Sequence, residues 1–318
     1  MINYPEMLPG VRNINLLITG AYNYTNAQVR ELESMGFEII HVQEEREPLQ
    51  IDVSNIHGVI CNSLFLYNDI SEFKNLKFVQ LTSAGLDRIP LDYIKEMDIK
   101  LFNAKGVYSI PMAEWAILKI LEIYKKSKDF YKQQYNKEWI KQRDLLELYG
   151  KTAAIIGLGD VGNEIAKRLK VFGVKVLAVG RTIKHSHFID EYYLNYDLNN
   201  VLSKSDIVIL TLPLTSETHY LFDANRITFM KENSVLINLS RGGIINELAL
   251  MDSIQNGKFS GVSLDVFEEE PLQESSILWE NEKVFVTPHN SFISDNVMER
   301  MFTTIKENLN SITIPNKL

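Results

Sequence analysis

Three late apolar runs of this chain each end in a side chain that carbonyl chemistry can use. Arg241 stands in Ile237-Asn-Leu-Ser-Arg-Gly-Gly243, Glu268, Glu269 and Glu270 in Leu264-Asp-Val-Phe-Glu-Glu-Glu-Pro271, and His289 in Val286-Thr-Pro-His-Asn290. An imidazole donates a proton near neutral pH, and a carboxylate on its other ring nitrogen favours the imidazolium. A guanidinium grips a carboxylate and polarises the carbonyl beside it. Taken singly, each residue fits a solvated loop or a satisfied histidine. In an open α/β sheet, groups just beyond the carboxyl ends of strands converge on one crevice.

That sheet is announced by Thr152-Ala-Ala-Ile-Ile-Gly-Leu-Gly-Asp-Val-Gly162, an apolar run broken by three glycines, followed by a helix-like segment to Phe172 and a second apolar run, Val174 to Val179. The order predicts a βαβ unit for a dinucleotide. Gly157 permits the tight turn, Gly159 lets backbone N–H groups approach a pyrophosphate, and Gly162 allows close helix–strand packing. The second strand ends Ala178-Val179-Gly180-Arg181-Thr182, without the acid that would accept the ribose hydroxyls of NAD. A guanidinium in its place suits a 2′-phosphate, so NADP(H) is the expected cofactor, with NAD(H) as the lesser one. Lys184, His185 and His187 add positive charge; His185 and His187 lack the carboxylates or cysteines of a metal site.

A length of 318 residues predicts two domains. The net charge of −8 argues against attraction to nucleic acid or an anionic membrane. Cys61 is the sole cysteine, which excludes an intrachain disulfide and suits a reducing cytoplasm. No apolar run has spanning length and no leader-like segment opens the chain, so a cytoplasmic protein is expected. Strand-like runs at Ile14–Thr19, Phe37–Val42, Gly58–Cys61, Lys77–Leu81 and Lys100–Asn103 predict a first α/β layer. A periodic run, Pro111 to Tyr124, reads as a connecting helix, and Tyr124-x-x-x-Lys128 as part of a helix surface. After the glycines, strands are expected at Ile207–Leu210, Ser234–Asn238, Gly261–Leu264 and Val284–Val286, in a doubly wound parallel sheet. The amphipathic tail from Asp295 to Leu309 is expected to return to the first domain. The boundaries read as residues 1–105 with 291–318, a flavodoxin-like substrate domain, and residues 106–290, a Rossmann domain.

With these motifs the chain resembles the D-isomer-specific 2-hydroxyacid dehydrogenases. The likeness takes in Leu81-Thr-Ser-Ala-Gly-Leu-Asp87, Gly106-Val-Tyr-Ser-Ile-Pro-Met-Ala-Glu114, the glycine fingerprint and Leu212-Pro-Leu-Thr-Ser-Glu-Thr218. It continues through Asn238-Leu-Ser-Arg-Gly-Gly243, Leu264 to Leu272, and Leu278-Trp279 leading to Thr287-Pro-His289. It implies reversible reduction of a small 2-keto acid to a D-2-hydroxy acid, of the glyoxylate or hydroxypyruvate kind, by a homodimer joined through the cofactor domains. It also implies Arg241, Glu270 and His289 as catalytic residues, with Glu268 and Glu269 left as solvated loop charges. Substrate binding falls to Ser83, Ala84, Gly85, Arg241 and His289. Cofactor contacts fall to Gly157, Gly159, Asp160, Val161, Gly162, Arg181, Thr182, Leu212, Pro213, Thr218, Leu239, Ser240, Arg241, Asp265 and His289, with Asp265 on the nicotinamide carboxamide. Two departures are visible: Phe292 stands where many members have glycine, and Asp160 adds an acid at the fingerprint. A dinucleotide-sensing regulatory module of the same fold is the alternative reading. A formate-type dehydrogenase fits poorly, because that chemistry has no substrate oxygen to protonate and the family members performing it lack a glutamate at the Glu270 position.

Overall fold

The structure, a computed structural model, describes residues 14–313. In chain order the first elements are β1 (Ile14–Thr19), α1 (Asn26–Ser34), β2 (Phe37–Val42), β3 (Gly58–Cys61), α2 (Leu64–Tyr67), β4 (Phe78–Leu81), α3 (Leu91–Glu96) and β5 (Lys100–Phe102). Next come α4 (Ser109–Tyr124), α5 (Ser127–Asn136), β6 (Thr152–Ile156), α6 (Asp160–Val171), β7 (Lys175–Gly180), β8 (Glu191–Leu194), α7 (Leu198–Lys204) and β9 (Ile207–Leu210). The last are α8 (Ala224–Thr228), β10 (Ser234–Asn238), α9 (Glu247–Gln255), β11 (Phe259–Leu264), β12 (Val284–Val286) and α10 (Val297–Thr313).

The first unit holds β1–β5 and α10. Its five parallel strands run in the order β2-β1-β3-β4-β5, the flavodoxin-like arrangement. β3 and β4 are buried along their whole length because helices cover both faces, which is why they read as unbroken apolar runs. On one face Ile14, Leu16 and Ile18 pack with Val297, Met301, Phe302, Ile305 and Leu309, the apolar stripe of α10. On the other, Leu17, Val59 and Val79 pack with Ile94 and Ile99.

The second unit spans residues 109–293. The division falls after Tyr108 and Ile293, a few residues beyond the junctions expected at 105 and 290. The shift has local causes: Val107 is buried in the core of the first unit, and the amide of Ser291 donates to Asp265 in the second. Seven parallel strands order as β12-β11-β10-β9-β6-β7-β8, so the sheet order reverses between β6 and β9. In open α/β sheets such a switch point, beyond the carboxyl ends of the strands, is where ligands bind. Two elements carry little apolar signal. β8 is a half-exposed edge strand, Glu-Tyr-Tyr-Leu, and α5 buries none of its residues.

The helix-surface reading of Tyr124-x-x-x-Lys128 is corrected. Lys126 takes a left-handed conformation (φ 51°), which ends α4 and starts α5, so the two residues lie on different helices. Tyr124 is buried in the core. Lys128 Nζ donates to the Val284 carbonyl on the outer edge of β12, where a lysine blocks further strand pairing. Among the described residues, no helix is long and apolar enough to cross a membrane.

Candidate active site

The glycine fingerprint forms a cradle at the end of β6. Gly157 (φ +99°) lies so close to Leu212 that a Cβ would sit 2.9 Å from the Leu212 backbone, and a Cβ on Gly162 would sit 2.9 Å from the Gly157 carbonyl. Above Gly159, by contrast, a Cβ would meet nothing within 4 Å. Gly159 also caps α6 without a side chain, leaving the first amides of this twelve-residue helix, those of Asp160 and Val161 included, free for an anion. These are the features a dinucleotide pyrophosphate requires, so the residues present fit the group. Asp160 is exposed at the helix start, where an acid is tolerated.

Around the cradle, Lys184 Nζ donates to the Leu158 carbonyl at 2.8 Å, bringing a cation onto the loop. Arg181 and Thr182 are exposed just past β7. Glu217 lies within electrostatic reach of Arg181; its carboxyl is held below its ordinary value first by the Thr215 hydroxyl and, more weakly, by that guanidinium. Pro213 and Thr218 belong to the turn after β9, closed by the Thr218 hydroxyl donating to the Pro213 carbonyl at 2.7 Å. The Leu239 side chain packs in the apolar core.

Arg241, Glu270 and His289 follow β10, β11 and β12, three adjacent parallel strands, and therefore emerge on one edge of the sheet. Local hydrogen bonds shape each turn. Asn238, buried at the end of β10, accepts from the amide and hydroxyl of Ser240 and donates to the Arg241 carbonyl at 3.1 Å, fixing the turn that presents the guanidinium. Gly242 then lets two backbones touch: a Cβ there would lie 1.8 Å from the Phe267 carbonyl carbon. The Arg241 turn and the turn carrying Glu270 are thus in direct backbone contact. Gly242→Ala cannot be accommodated without parting them, and we expect a folded protein that binds dinucleotide but has lost most turnover; intrinsic fluorescence titration and a reductase assay check both halves.

His289 closes the group. Its Nδ1 lies 2.8 Å from Glu270 Oε2, while Glu270 Oε1 accepts from the Phe267 amide at 3.1 Å. Both side chains are about one-third exposed, so the pair faces solvent and a substrate can reach it. His289 adopts a left-handed backbone (φ 49°), a conformation costing on the order of 1–3 kcal/mol for a non-glycine residue. Its amide donates to the Asp265 carbonyl at 2.8 Å and the Thr287 carbonyl at 3.0 Å, which holds it there.

Asp265 does more in this chain than the sequence reading assigned to it. It is fully buried, and its carboxylate accepts from the Thr287 hydroxyl (2.6 Å) and from the amides of Asn290 (2.9 Å) and Ser291 (3.0 Å). It therefore anchors the loop on both sides of His289. Phe292 packs edge-on to the imidazole, ring centroids 5.9 Å apart at 89°, forming one wall beside it. Glu268 is exposed, as the sequence reading has it, and its carboxylate in addition accepts from the Glu247 amide at 2.8 Å and from the Tyr220 hydroxyl at 3.1 Å. Among the described residues, Glu269 meets only Gln273, at 3.0 Å.

In the first unit, the loop after β4 turns its amides outward. Its carbonyls are engaged: Thr82 by the Tyr108 hydroxyl, Ser83 by the Ala104 amide, Ala84 by Asn103 and Gly85 by the Ser83 hydroxyl. Among the described residues, no acceptor is bonded to the amides of Ser83, Ala84 or Gly85. Successive unpaired N–H groups of this kind form an anion-binding nest.

A doubly wound sheet with a glycine cradle at its switch point, and an arginine and a histidine–glutamate pair on the same edge, defines a dinucleotide-binding protein built for oxidoreduction. The family model for the D-isomer specific 2-hydroxyacid dehydrogenase NAD binding domain matches residues 117–291. The chain is 32% identical to glyoxylate reductase of Pyrococcus horikoshii, across 88% of this chain and 90% of that protein. It is 29% identical to D-3-phosphoglycerate dehydrogenase of Methanocaldococcus jannaschii over 76% of this chain, yet spans only 47% of that longer protein. The structure resembles a D-isomer specific 2-hydroxyacid dehydrogenase from Xanthobacter autotrophicus solved with NADPH, at a TM-score of 0.80 and 25% identity over 95% of this chain and 96% of that one. The chain belongs to the D-isomer-specific 2-hydroxyacid dehydrogenase family, and its second unit carries the family's cofactor domain.

Proposed function

We propose that the protein reduces a small 2-keto acid, of the glyoxylate or hydroxypyruvate kind, to the D-2-hydroxy acid, reversibly and with NADPH preferred to NADH. The observation that carries this reading is the 2.8 Å Glu270–His289 hydrogen bond, on the same sheet edge as the Gly157–Gly162 cradle. Bound in the cradle, NADPH supplies the hydride. His289 gives the substrate oxygen its proton from Nε2, since Glu270 holds Nδ1 and fixes the ring. Arg241 clamps the substrate carboxylate and stabilises alkoxide character as it develops. The amide nest at Ser83–Gly85 of the first unit is itself suited to an anion, and the buried Asp265 supports the loop that presents His289. Exposed aromatic side chains at Tyr131, Tyr135, Trp139 and Tyr149 of the second unit, Trp139 being 96% exposed, support a homodimer that covers them.

The cofactor preference rests on Arg181, which follows β7 where an NAD-specific site would carry an acid. The similarity to a structure solved with NADPH supports it. The test is NADPH and NADH consumption across glyoxylate, hydroxypyruvate, pyruvate and phenylpyruvate, with the wild type and Arg181→Ala. One charge-assisted phosphate contact corresponds to roughly a 10- to 100-fold loss in NADPH affinity, with NADH unaffected. Equal weakening of both cofactors would end the 2′-phosphate assignment, and idle wild-type enzyme on every acid would end the reductase reading.

A further inference from the structure

The turn that carries Glu270 is braced from behind. The two carboxylate oxygens of Glu268 accept from the Glu247 amide at 2.8 Å and the Tyr220 hydroxyl at 3.1 Å. The bridge is reciprocal: the Glu268 amide donates to the Glu247 carboxylate at 2.5 Å. Three segments meet here, the 267–270 turn, the first residue of α9 and the loop before α8. Tyr220 is itself pinned in a left-handed conformation (φ 51°) by its amide donating to the Gly243 carbonyl at 2.8 Å, two residues past Arg241.

The brace is costly. Glu247, Glu268 and Glu270 crowd one turn, and burial, reinforced by the Glu268 and Glu270 charges, lifts the Glu247 carboxyl above its ordinary value. A turn needing only rigidity is built from neutral groups without such repulsion. Repulsion and left-handed strain persist where they serve a site, and here both lie immediately behind the histidine–glutamate pair.

We propose that Glu268 and Tyr220 are positioning residues for the Glu270–His289 pair, holding the 267–270 turn through the reciprocal bridge to Glu247. The proposal rests on His289 as proton donor and extends that role to the residues that aim its partner. Without the brace, Glu270 retains one backbone hydrogen bond, from Phe267, and its carboxylate is free to swing off Nδ1.

The test compares Glu268→Ala, Glu268→Gln and Tyr220→Phe in the full-length protein, with glyoxylate and NADPH as probes and nitrogen-15 histidine NMR alongside. Glu268→Ala is expected to lower kcat about 10- to 100-fold, the scale of a misplaced group, while NADPH affinity and the glyoxylate KM stay near wild type. Glu268→Gln keeps an acceptor for the Glu247 amide and should recover most of the loss; Tyr220→Phe should fall between. The downfield Nδ1 proton resonance of His289, present when Glu270 accepts from it, should weaken in Glu268→Ala and return in Glu268→Gln. An unmoved resonance with wild-type kcat in Glu268→Ala overturns the proposal, as does a loss of NADPH binding in step with kcat. Should the wild type reduce no 2-keto acid, the functional reading fails while the resonance still decides the positioning role.

Discussion

His289→Ala is expected to lower turnover of the 2-keto acid by about 10²–10⁴-fold, the usual contribution of a positioned general acid. Dinucleotide binding is expected to survive, because the cradle at Gly157–Gly162 is built by β6 and α6, far along the sheet from the β12 turn that carries the histidine. The sharper result concerns Glu270. In this structure its carboxylate has two partners, the Phe267 amide and His289 Nδ1, so whatever it does for the chemistry passes through the imidazole. Glu270→Gln alone should therefore be severely slow, yet the His289→Ala, Glu270→Gln double variant should be scarcely slower than His289→Ala. Groups acting as a unit are non-additive in this way. Steady-state kinetics on the four forms decide it. Independent, multiplying losses would mean that Glu270 meets the substrate directly, and a fully active His289→Ala would remove the proton donor altogether.

How far the sequence anticipates this site varies with the physics at each position. Strand ends are legible because parallel strands buried on both faces appear as unbroken apolar runs, so the positions just after β10, β11 and β12 can be picked out before any coordinates exist. The glycines are legible too, since close backbone approach admits no other residue at Gly157 or Gly162. Edge and surface elements are not: β8 alternates too little and α5 buries nothing, so neither has the apolar pattern that tertiary packing imposes. The break at Lys126 is likewise silent, because a left-handed lysine leaves no mark in residue type.

The residues behind the site form another illegible class. Asp265 can be assigned from its motif, but that its carboxylate gathers Thr287, Asn290 and Ser291 depends on how the β11 and β12 turns fold together. Glu268 and Glu269 are chemically identical, exposed neighbours, and only the approach of Glu247 and Tyr220 gives Glu268 the hydrogen bonds of a brace. The one local clue is Gly242, whose missing Cβ lets the Phe267–Glu268 backbone close in. A glycine after a functional arginine signals contact with something; the partner is fixed by the sheet order.

Replacement of Arg241 has the second large effect. Arg241→Ala is expected to reduce kcat/KM by about 10²–10³-fold, the scale for losing a preorganised donor to a developing oxyanion. The Asn238 bracket supports this directly: three hydrogen bonds hold the turn 238–241, and the guanidinium also donates from one terminal nitrogen to the Ser240 carbonyl at 2.8 Å, so its plane is set before substrate arrives. Prior ordering spares the transition state the entropy of arranging a long side chain. Two features distinguish the prediction from a simple loss of charge. Arg241→Lys should restore little, because an ammonium lacks the planar fork that meets carboxylate and carbonyl oxygen together. Added guanidinium ion should partly rescue Arg241→Ala but not His289→Ala, since only the former leaves a cavity of the right shape and charge. Rescue of Arg241→Ala by lysine to near wild-type kcat/KM would show that charge alone suffices, and the bidentate clamp would then be the wrong account of how this enzyme family member grips its acid.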